Sequence, residues 1–189
     1  MNGKYLTSAL PAVLVDNPVE RLASLFDAHH DRLYRLARRM VASTDDALDL
    51  VQETFLKAAR FPKSIPVGAA DEEAWLVRVL INVRRDQWRK TSARNRHDKA
   101  RFRGSDLVSG DRDPEAALIA KGAVWQALDA LPPRRRAIVV MYELEGLTVP
   151  AIAALLGISA ITVRWHLSMG RRDLVGALKA YIGDTNEDY

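Results

Sequence analysis

The sequence contains no cysteine among its 189 residues. Disulfide bonds, thiolate catalysis and cysteine-ligated zinc or iron–sulfur sites are therefore excluded. Long apolar runs are also lacking, since none approaches the ~20 residues of a membrane span. The stretch YLTSALPAVLV follows a single Lys4, contains Pro11 and lacks the cleavage site of a secretory signal. We therefore expect a cytoplasmic protein without membrane insertion.

The net charge is small and its distribution is uneven. The chain has 28 Lys and Arg against 24 Asp and Glu, a net charge of +4. Between residues 84 and 103, Lys and Arg greatly outnumber Asp and Glu, whereas the final GDTNEDY is acidic. A basic stretch attracts phosphate groups, but a solvated helix face has the same composition. Charge alone leaves both interpretations open.

Helix signals occur along nearly the whole chain. Asn17 is a suitable cap and Pro18 a suitable first residue for one helix. Ser43 followed by Asp46 predicts the start of a second helix, and a third is expected to begin near Asp71, after RFPKSIPVG. The inner side of the second helix is predicted to carry Leu48, Val51, Phe55 and Ala58.

These signals predict an all-α protein made of two small helical domains joined by a flexible linker. The polar, aperiodic stretch after Thr91 ends at Asp113–Pro114, which repeats the cap-plus-proline helix start. The predicted organisation is a mobile leader (1–17), a three-helix domain (18–92), the linker (93–113), a second helical domain (114–181) and an acidic tail (182–189).

The segment GLTVPAIAALLGISAITVRWHL has the pattern of a helix-turn-helix. Ala153, Gly157 and Val163 are placed as the packed small residue, the turn glycine and the branched apolar residue, and Ser159 is a cap for the second helix. The outward residues of that helix are Arg164, Trp165, Ser168, Arg171 and Arg172. An early arginine there can reach guanine edges while later ones hold phosphates. A helical hairpin without DNA contacts is the alternative.

Three carboxylates follow one another at intervals of four residues in the second predicted helix. Asp45, Asp49 and Glu53 share one face, where like charges repel. Solvent, a metal ion or a basic partner could compensate them. A metal is disfavoured because a single helical stripe diverges, whereas hard cations need converging ligands. Periodicity alone favours the solvated face.

Three stretches taken together resemble the small two-domain bacterial sigma factors of the extracytoplasmic-function (ECF) type, in the sigma-70 family. They are DALDLVQETFLKAAR, AWLVRVLINVRRDQWRK and ALPPRRRAIVVMYELEGLTVPAIAALLGISAITVRWHL. The resemblance extends from about Val19 to Leu178. It implies a non-enzymatic subunit, without cofactor or metal, that binds core RNA polymerase and helps to melt and read −10 and −35 promoter elements. The two domains would be sigma regions 2 and 4.

The resemblance also implies roles for individual residues. The clamp coiled coil of the largest polymerase subunit would contact Asp45, Asp49, Gln52 and Glu53. The −10 element would contact Ala69, Ala70, Asp71, Asn82, Arg84, Arg85, Asp86 and Arg89. The −35 element would contact Ser159, Thr162, Arg164, Trp165, Ser168, Arg171 and Arg172. The sequence departs from the family pattern at Trp165, where a small polar residue is common, and in PVGAADEEAW, which lacks the usual aromatic residues.

Further partners implied by the resemblance are the flap of the second-largest polymerase subunit and an anti-sigma factor. The free chain is expected to be a monomer. Two other hypotheses remain open at the level of sequence. One is a sigma-like mimic that titrates an anti-sigma factor without binding DNA. The other is a metal-dependent nuclease that uses Asp45, Asp49 and Glu53.

Overall fold

The structure, a computed structural model, describes the backbone of residues 17–99 and 115–186. Residues 1–16 of the predicted leader, 100–114 of the predicted linker and 187–189 of the tail lie outside the described residues. The helices are α1 (Pro18–Met40), α2 (Thr44–Arg60), α3 (Ala69–Lys99), α4 (Glu115–Ala130), α5 (Pro133–Val139), α6 (Val149–Leu156) and α7 (Ala160–Asn186). The described ranges contain no strand, which confirms the all-α fold class.

The first helices begin where their capping residues predict. The Asn17 side chain accepts a hydrogen bond from the Val19 amide at 3.0 Å, and Ser43 accepts one from the Asp46 amide at 3.0 Å. The third helix begins at Ala69, two residues earlier than expected. Gly68 precedes it with φ of 115°, a backbone conformation that side chains with a Cβ rarely adopt.

The core of the first domain lies between α1, α2 and α3. On α2 the buried residues are Ala47, Leu50, Val51, Thr54, Phe55 and Ala58. The prediction for Leu48 is wrong, because its side chain is 47% exposed. Two possible apolar stripes on α2 both contain Val51, Phe55 and Ala58. The stripe that packs into the core is the one that also contains Leu50. Leu48 instead lines a shallow groove between α1 and α2.

Two helices extend further than their apolar pattern indicates. α3 continues to Lys99, although the periodicity ends near Thr91, and α7 continues to Asn186 into the predicted tail. Adding a residue to an existing helix needs no new nucleus, and residues 91–99 include several good helix formers among Ala, Arg and Lys. An apolar stripe is therefore a poor guide to where these helices end.

The second domain contains the predicted helix-turn-helix. α6 and α7 meet at an angle of 108°, which lies in the range typical of this motif. The turn residue Gly157 has φ of 64°, and Val163 is fully buried. In the described ranges no single helix is long and apolar enough to cross a membrane, although this bent pair passes the same criteria together by length and composition.

The two domains pack against each other through a carboxylate. The side chain of Glu145 is 9% exposed and lies between two arginines of α1. Arg32 forms a fork with both carboxylate oxygens, at 3.0 and 2.8 Å, and Arg39 donates at 3.1 Å. Burial lowers the pKa of Arg32, but its contacts with Glu145 and Glu73 outweigh this effect and the pKa is raised.

Two more arginines cross the junction to backbone carbonyls. Arg136, which is 2% exposed, donates from Nε to the Arg39 carbonyl at 2.9 Å and forms an ion pair with Asp129. In the opposite direction, Arg78 of α3 donates to the Leu155 carbonyl of α6 at 3.1 Å. The domains are thus held in one orientation, called the closed arrangement below.

Replacing Glu145 with glutamine is expected to open the closed arrangement. Removing the charge leaves Arg32 and Arg39 partly desolvated without their anion, and we expect the ratio of open to closed molecules to rise by roughly tenfold, about 1.4 kcal/mol. Because the chain has no cysteine, dyes can be placed on cysteines introduced at the exposed positions Asp27 and Lys179. Energy transfer between the dyes measures the opening.

The matched control is Glu143→Gln. Glu143 pairs with Arg171 inside the second domain, so its loss should leave energy transfer unchanged. An unchanged distance distribution in the Glu145→Gln variant, with its helix content intact, would contradict the role of Glu145.

Candidate nucleic-acid interface

The carboxylate stripe of α2 lies at the surface. Asp45 and Asp49 are exposed and Glu53 is half-buried. Within the described residues no Lys, Arg or His forms a salt bridge with any of the three. Gln52, on the same surface, is also exposed. The structure therefore brings the four residues together as an uncompensated acidic face, which a basic partner would neutralise.

An open cleft of about 590 Å³ separates this acidic face from α3. Lys57 of α2 lies across it, with Nζ 3.9 Å from the Asp86 carboxylate. Asp86 is therefore turned towards α2. Asp86 is one helical turn after Asn82, and the sequence therefore predicted that the two residues share a face. In the structure, Lys57 partly neutralises the charge of Asp86.

The outward face of α3 carries Asn82 and Arg89, both exposed. They are two turns apart and so lie on the same side of the helix. Arg85, next to this face, is 42% exposed. Arg84 differs from the expectation of an outward phosphate contact, because its Nε donates to the Met40 carbonyl at 3.3 Å. Burial and then the charge of Arg136 lower the pKa of Arg84.

Ala69, Ala70 and Asp71 form the first turn of α3 and are all exposed. The sequence predicted that the helix begins near Asp71, so Ala69 and Ala70 were expected to precede it. The segment before the turn is fixed by Arg21, which donates to the Ile65 and Pro66 carbonyls at 3.1 and 2.9 Å. Sequence reasoning missed Arg21, since nothing in the local pattern links it to a loop more than forty residues away.

The recognition-type helix α7 begins as predicted, with the Thr162 amide donating to Ser159 Oγ at 3.1 Å. The predicted contact residues Arg164, Trp165, Ser168, Arg171 and Arg172 are all exposed on α7. Arg171 donates to Glu143 at 2.8 Å, and this hydrogen bond, together with the charge of Glu143, raises the pKa of Arg171. In the described part of the chain no acidic side chain pairs with Arg164, which is therefore available to an external anion or base.

Trp165 is 53% exposed and contacts a residue that the sequence did not single out. The Arg135 guanidinium of α5 lies 5.6 Å from the centroid of the indole. Arg135 also forms an ion pair with Asp173 of α7. In the sequence Arg135 is one of three consecutive arginines, and only the packing of α5 on α7 distinguishes it from its neighbours.

The second domain also has an apolar groove of about 490 Å³ between α4, α5 and α7. It is lined mainly by Val124, Trp125, Leu128, Val139, Val140, Leu144 and Leu174. Among residues 17–99 and 115–186, His, Asp and Glu side chains do not gather in a group that could hold a metal ion.

Two sequence families match the chain, one in each domain. Residues 25–94 match Sigma-70 region 2 and residues 121–174 match Sigma-70 region 4. The ECF RNA polymerase sigma factor SigE of Mycolicibacterium smegmatis is 36% identical over 160 residues, which is 83% of this chain and 61% of that protein. The chain therefore spans less than two thirds of that relative. SigM of Mycobacterium tuberculosis is 32% identical over 154 residues, 82% of this chain and 75% of that protein.

Two solved structures share the fold at 25% sequence identity. The sigma factor RpoE in complex with the anti-sigma factor NepR, from Bartonella quintana, has a TM-score of 0.54, covering 85% of this chain and 96% of that chain. CnrH in complex with the cytosolic domain of CnrY has a TM-score of 0.53, covering 86% of this chain and 90% of that chain.

Proposed function

The chain belongs to the ECF RNA polymerase sigma factors of the sigma-70 family, and we propose that it binds core RNA polymerase in the cytoplasm and directs promoter-specific transcription initiation. Sigma factors are regulatory subunits rather than enzymes. The observation that carries the proposal is the pairing, in one chain, of an uncompensated acidic face with an exposed helix-turn-helix.

The acidic face is the proposed contact with core polymerase. Asp45, Asp49, Gln52 and Glu53 would meet the clamp coiled coil of the largest subunit. Among the side chains that the structure describes, none of the three carboxylates has a cationic partner, which supports this assignment because a basic partner removes the repulsion between them. In the second domain, the apolar groove beside Trp125 and Leu144 would receive the flap of the second-largest subunit, since its lining offers apolar area to bury.

The proposed −10 surface consists of the outward face of α3 and its first turn. Asn82 can exchange hydrogen bonds with the edge of an unpaired base, and Arg89 can hold a phosphate. Ala69, Ala70 and Asp71 lie at the other end of the same helix. Arg85 would contribute after a change of rotamer, whereas Arg84 and Asp86 would first have to leave Met40 and Lys57.

The proposed −35 surface is the first half of α7. Ser159 and Thr162 lie at the helix start, where backbone amides and hydroxyls suit a phosphate. Arg164, Trp165 and Ser168 follow on the exposed side, within reach of base edges in a major groove. Arg171 and Arg172 extend the positive charge along the helix, although Arg171 has to exchange Glu143 for DNA.

Simultaneous reading of both elements requires the domains to separate. The elements lie about 25 base pairs apart, which is roughly 85 Å of duplex at 3.4 Å per base pair. In the closed arrangement Arg78, one turn from Asn82, touches α6 of the helix-turn-helix. The two reading surfaces are then far too close together to contact both elements, so the closed arrangement represents a state other than the promoter-bound one.

We further propose regulation by an anti-sigma factor, supported by the two related sigma factors that were solved with such partners. A sigma-like mimic, which binds an anti-sigma factor without binding DNA, is the second candidate. The observation in its favour is that Arg84 and Arg171 are engaged within the chain. The exposed Asn82 and Arg164 favour the sigma factor, because a mimic has no need of them.

Run-off transcription tests the proposal. Bacterial core polymerase, with and without this chain, is supplied with DNA fragments from upstream of the gene. We expect a discrete transcript that depends on the added protein, and its start site identifies the promoter. Binding to core without a transcript from any fragment would favour the mimic, and failure to bind core would overturn both the proposed function and the role of the acidic face.

Asp49→Ala and Glu53→Ala are each expected to weaken binding to core polymerase by roughly tenfold, because each leaves a basic group of the clamp without its partner. Affinity can be measured by fluorescence anisotropy with labelled sigma factor. Asp27→Ala removes an exposed acid from α1 and serves as the control, with affinity unchanged. If Asp49→Ala and Glu53→Ala bound core polymerase as tightly as the control Asp27→Ala, the acidic face would not be part of the core interface.

Arg164→Ala is expected to lower transcription from a promoter with an intact −35 element by roughly tenfold, the loss of one specific base contact. On a template with a scrambled −35 element the same variant should differ little from wild type. Lys179→Ala, in the same helix but about 22 Å further along, is the control. An equal loss on both templates would show that Arg164 contacts phosphate alone.

A further inference from the structure

We propose that the Trp165 indole reads a thymine methyl group in the −35 element and that Arg135 is the positioning residue that fixes the indole for this contact. The inference rests on the proposed function, since it assigns a base chemistry to the −35 surface. The observation that supports this inference is the packing around Trp165.

The chemistry of the indole limits what it can recognise. Trp165 presents a large apolar surface that is 53% exposed, beside the exposed Arg164. In the major groove, the C5-methyl of thymine is the apolar group that distinguishes one base pair from the others. Arg164 and Ser168 offer hydrogen bonds to polar base edges, so Trp165 would add an apolar contact that those residues cannot make.

The Arg135 side chain extends from α5 to the indole and is held in this conformation by its contacts. Its guanidinium lies 5.6 Å from the ring centroid, a distance at which a cation is attracted to an aromatic face. The Arg135 side chain is 16% exposed and is also held by the ion pair with Asp173. One face of the indole is therefore occupied by a guanidinium that is itself anchored on α7.

The path of Arg135 depends on the absence of a side chain at Gly170. A Cβ at this position would lie 3.2 Å from Arg135 Cγ and 2.6 Å from Val139 Cγ2. The close approach of α5 to α7 at Gly170 thus brings Arg135 to the indole. The indole also makes a T-shaped contact with the His166 ring, with the two centroids 4.8 Å apart. The His166 pKa is lowered by burial and by Arg135 and Arg134, which favours the neutral imidazole.

Thymine-to-deoxyuridine exchange tests the inference, because it removes the methyl group alone. The promoter obtained by run-off transcription is made as a set of duplexes, each with one −35 thymine, on either strand, replaced by deoxyuridine. Binding of the complete holoenzyme is measured for each duplex. For wild type we expect one position where the exchange weakens binding about three- to fivefold, the effect of exposing one methyl group.

Substitutions distinguish the residue that contacts the methyl group, Trp165, from the residue that positions it, Arg135. Trp165→Ala should weaken binding to the thymine duplex and bring the thymine-to-deoxyuridine ratio to about one. Arg135→Ala should lower that ratio although Trp165 is still present, because the indole is no longer positioned, and Arg135→Lys should restore part of it. The double variant should bind no more weakly than Trp165→Ala, because both changes act on the same contact. Val175→Ala, an exposed apolar residue later in α7, should leave the ratio unchanged.

Each contrary result has a distinct meaning. A wild-type ratio near one at every thymine, or a −35 element without a thymine, would overturn the methyl contact. A full ratio in Trp165→Ala would overturn the role of Trp165, and a full ratio in Arg135→Ala would overturn that of Arg135. A promoter that is insensitive to scrambling of its −35 element would instead overturn the proposed −35 function of α7. Circular dichroism of each variant establishes that the helices are intact.

Discussion

The closed arrangement depends on a carboxylate that is almost withdrawn from water. Arg32 and Arg39 supply three contacts to the two oxygens of Glu145. A desolvated ion pair of this kind contributes little net stability, yet removing one partner is costly. The ion pairs therefore fix the relative orientation of the domains more than they add stability. The buried apolar residues of the two domains form one continuous cluster, so apolar packing accompanies these charges at the junction.

Glu145 is placed by an irregular turn that also serves the −35 surface. After α5 the chain continues as a π-helical turn, Val140–Leu144, and the Glu145 amide donates to the Val140 carbonyl at 3.1 Å. The wider turn directs Glu143 towards Arg171 on α7 and Glu145 towards α1. Such turns often occur at functional positions. Here it links the domain junction and the proposed DNA surface through residues two positions apart.

Local signals in the sequence were sufficient for the helices and for the exposed side of α7. Asn17, Ser43 and Gly157 act through neighbours within a few residues, so their roles follow from the sequence. The contact between Arg39 and Glu145 joins residues 106 positions apart, and the stacking of Arg135 on Trp165 depends on how two helices pack. For the same reason the directions of Arg84 and Asp86 required the structure.

Closure of the junction and the proposed promoter reading place opposite demands on the same chain. While Arg78 touches α6, α3 is held against the helix-turn-helix. The promoter elements lie roughly 85 Å apart along the duplex, so this contact has to break before both can be engaged. Two DNA contacts of modest affinity on one chain bind far more tightly together than either does alone, provided that both can be engaged at once. Beside its apolar contacts, the junction contains ion pairs at Glu145, which the proposed partners, core polymerase and DNA, can replace with contacts to their own charged groups.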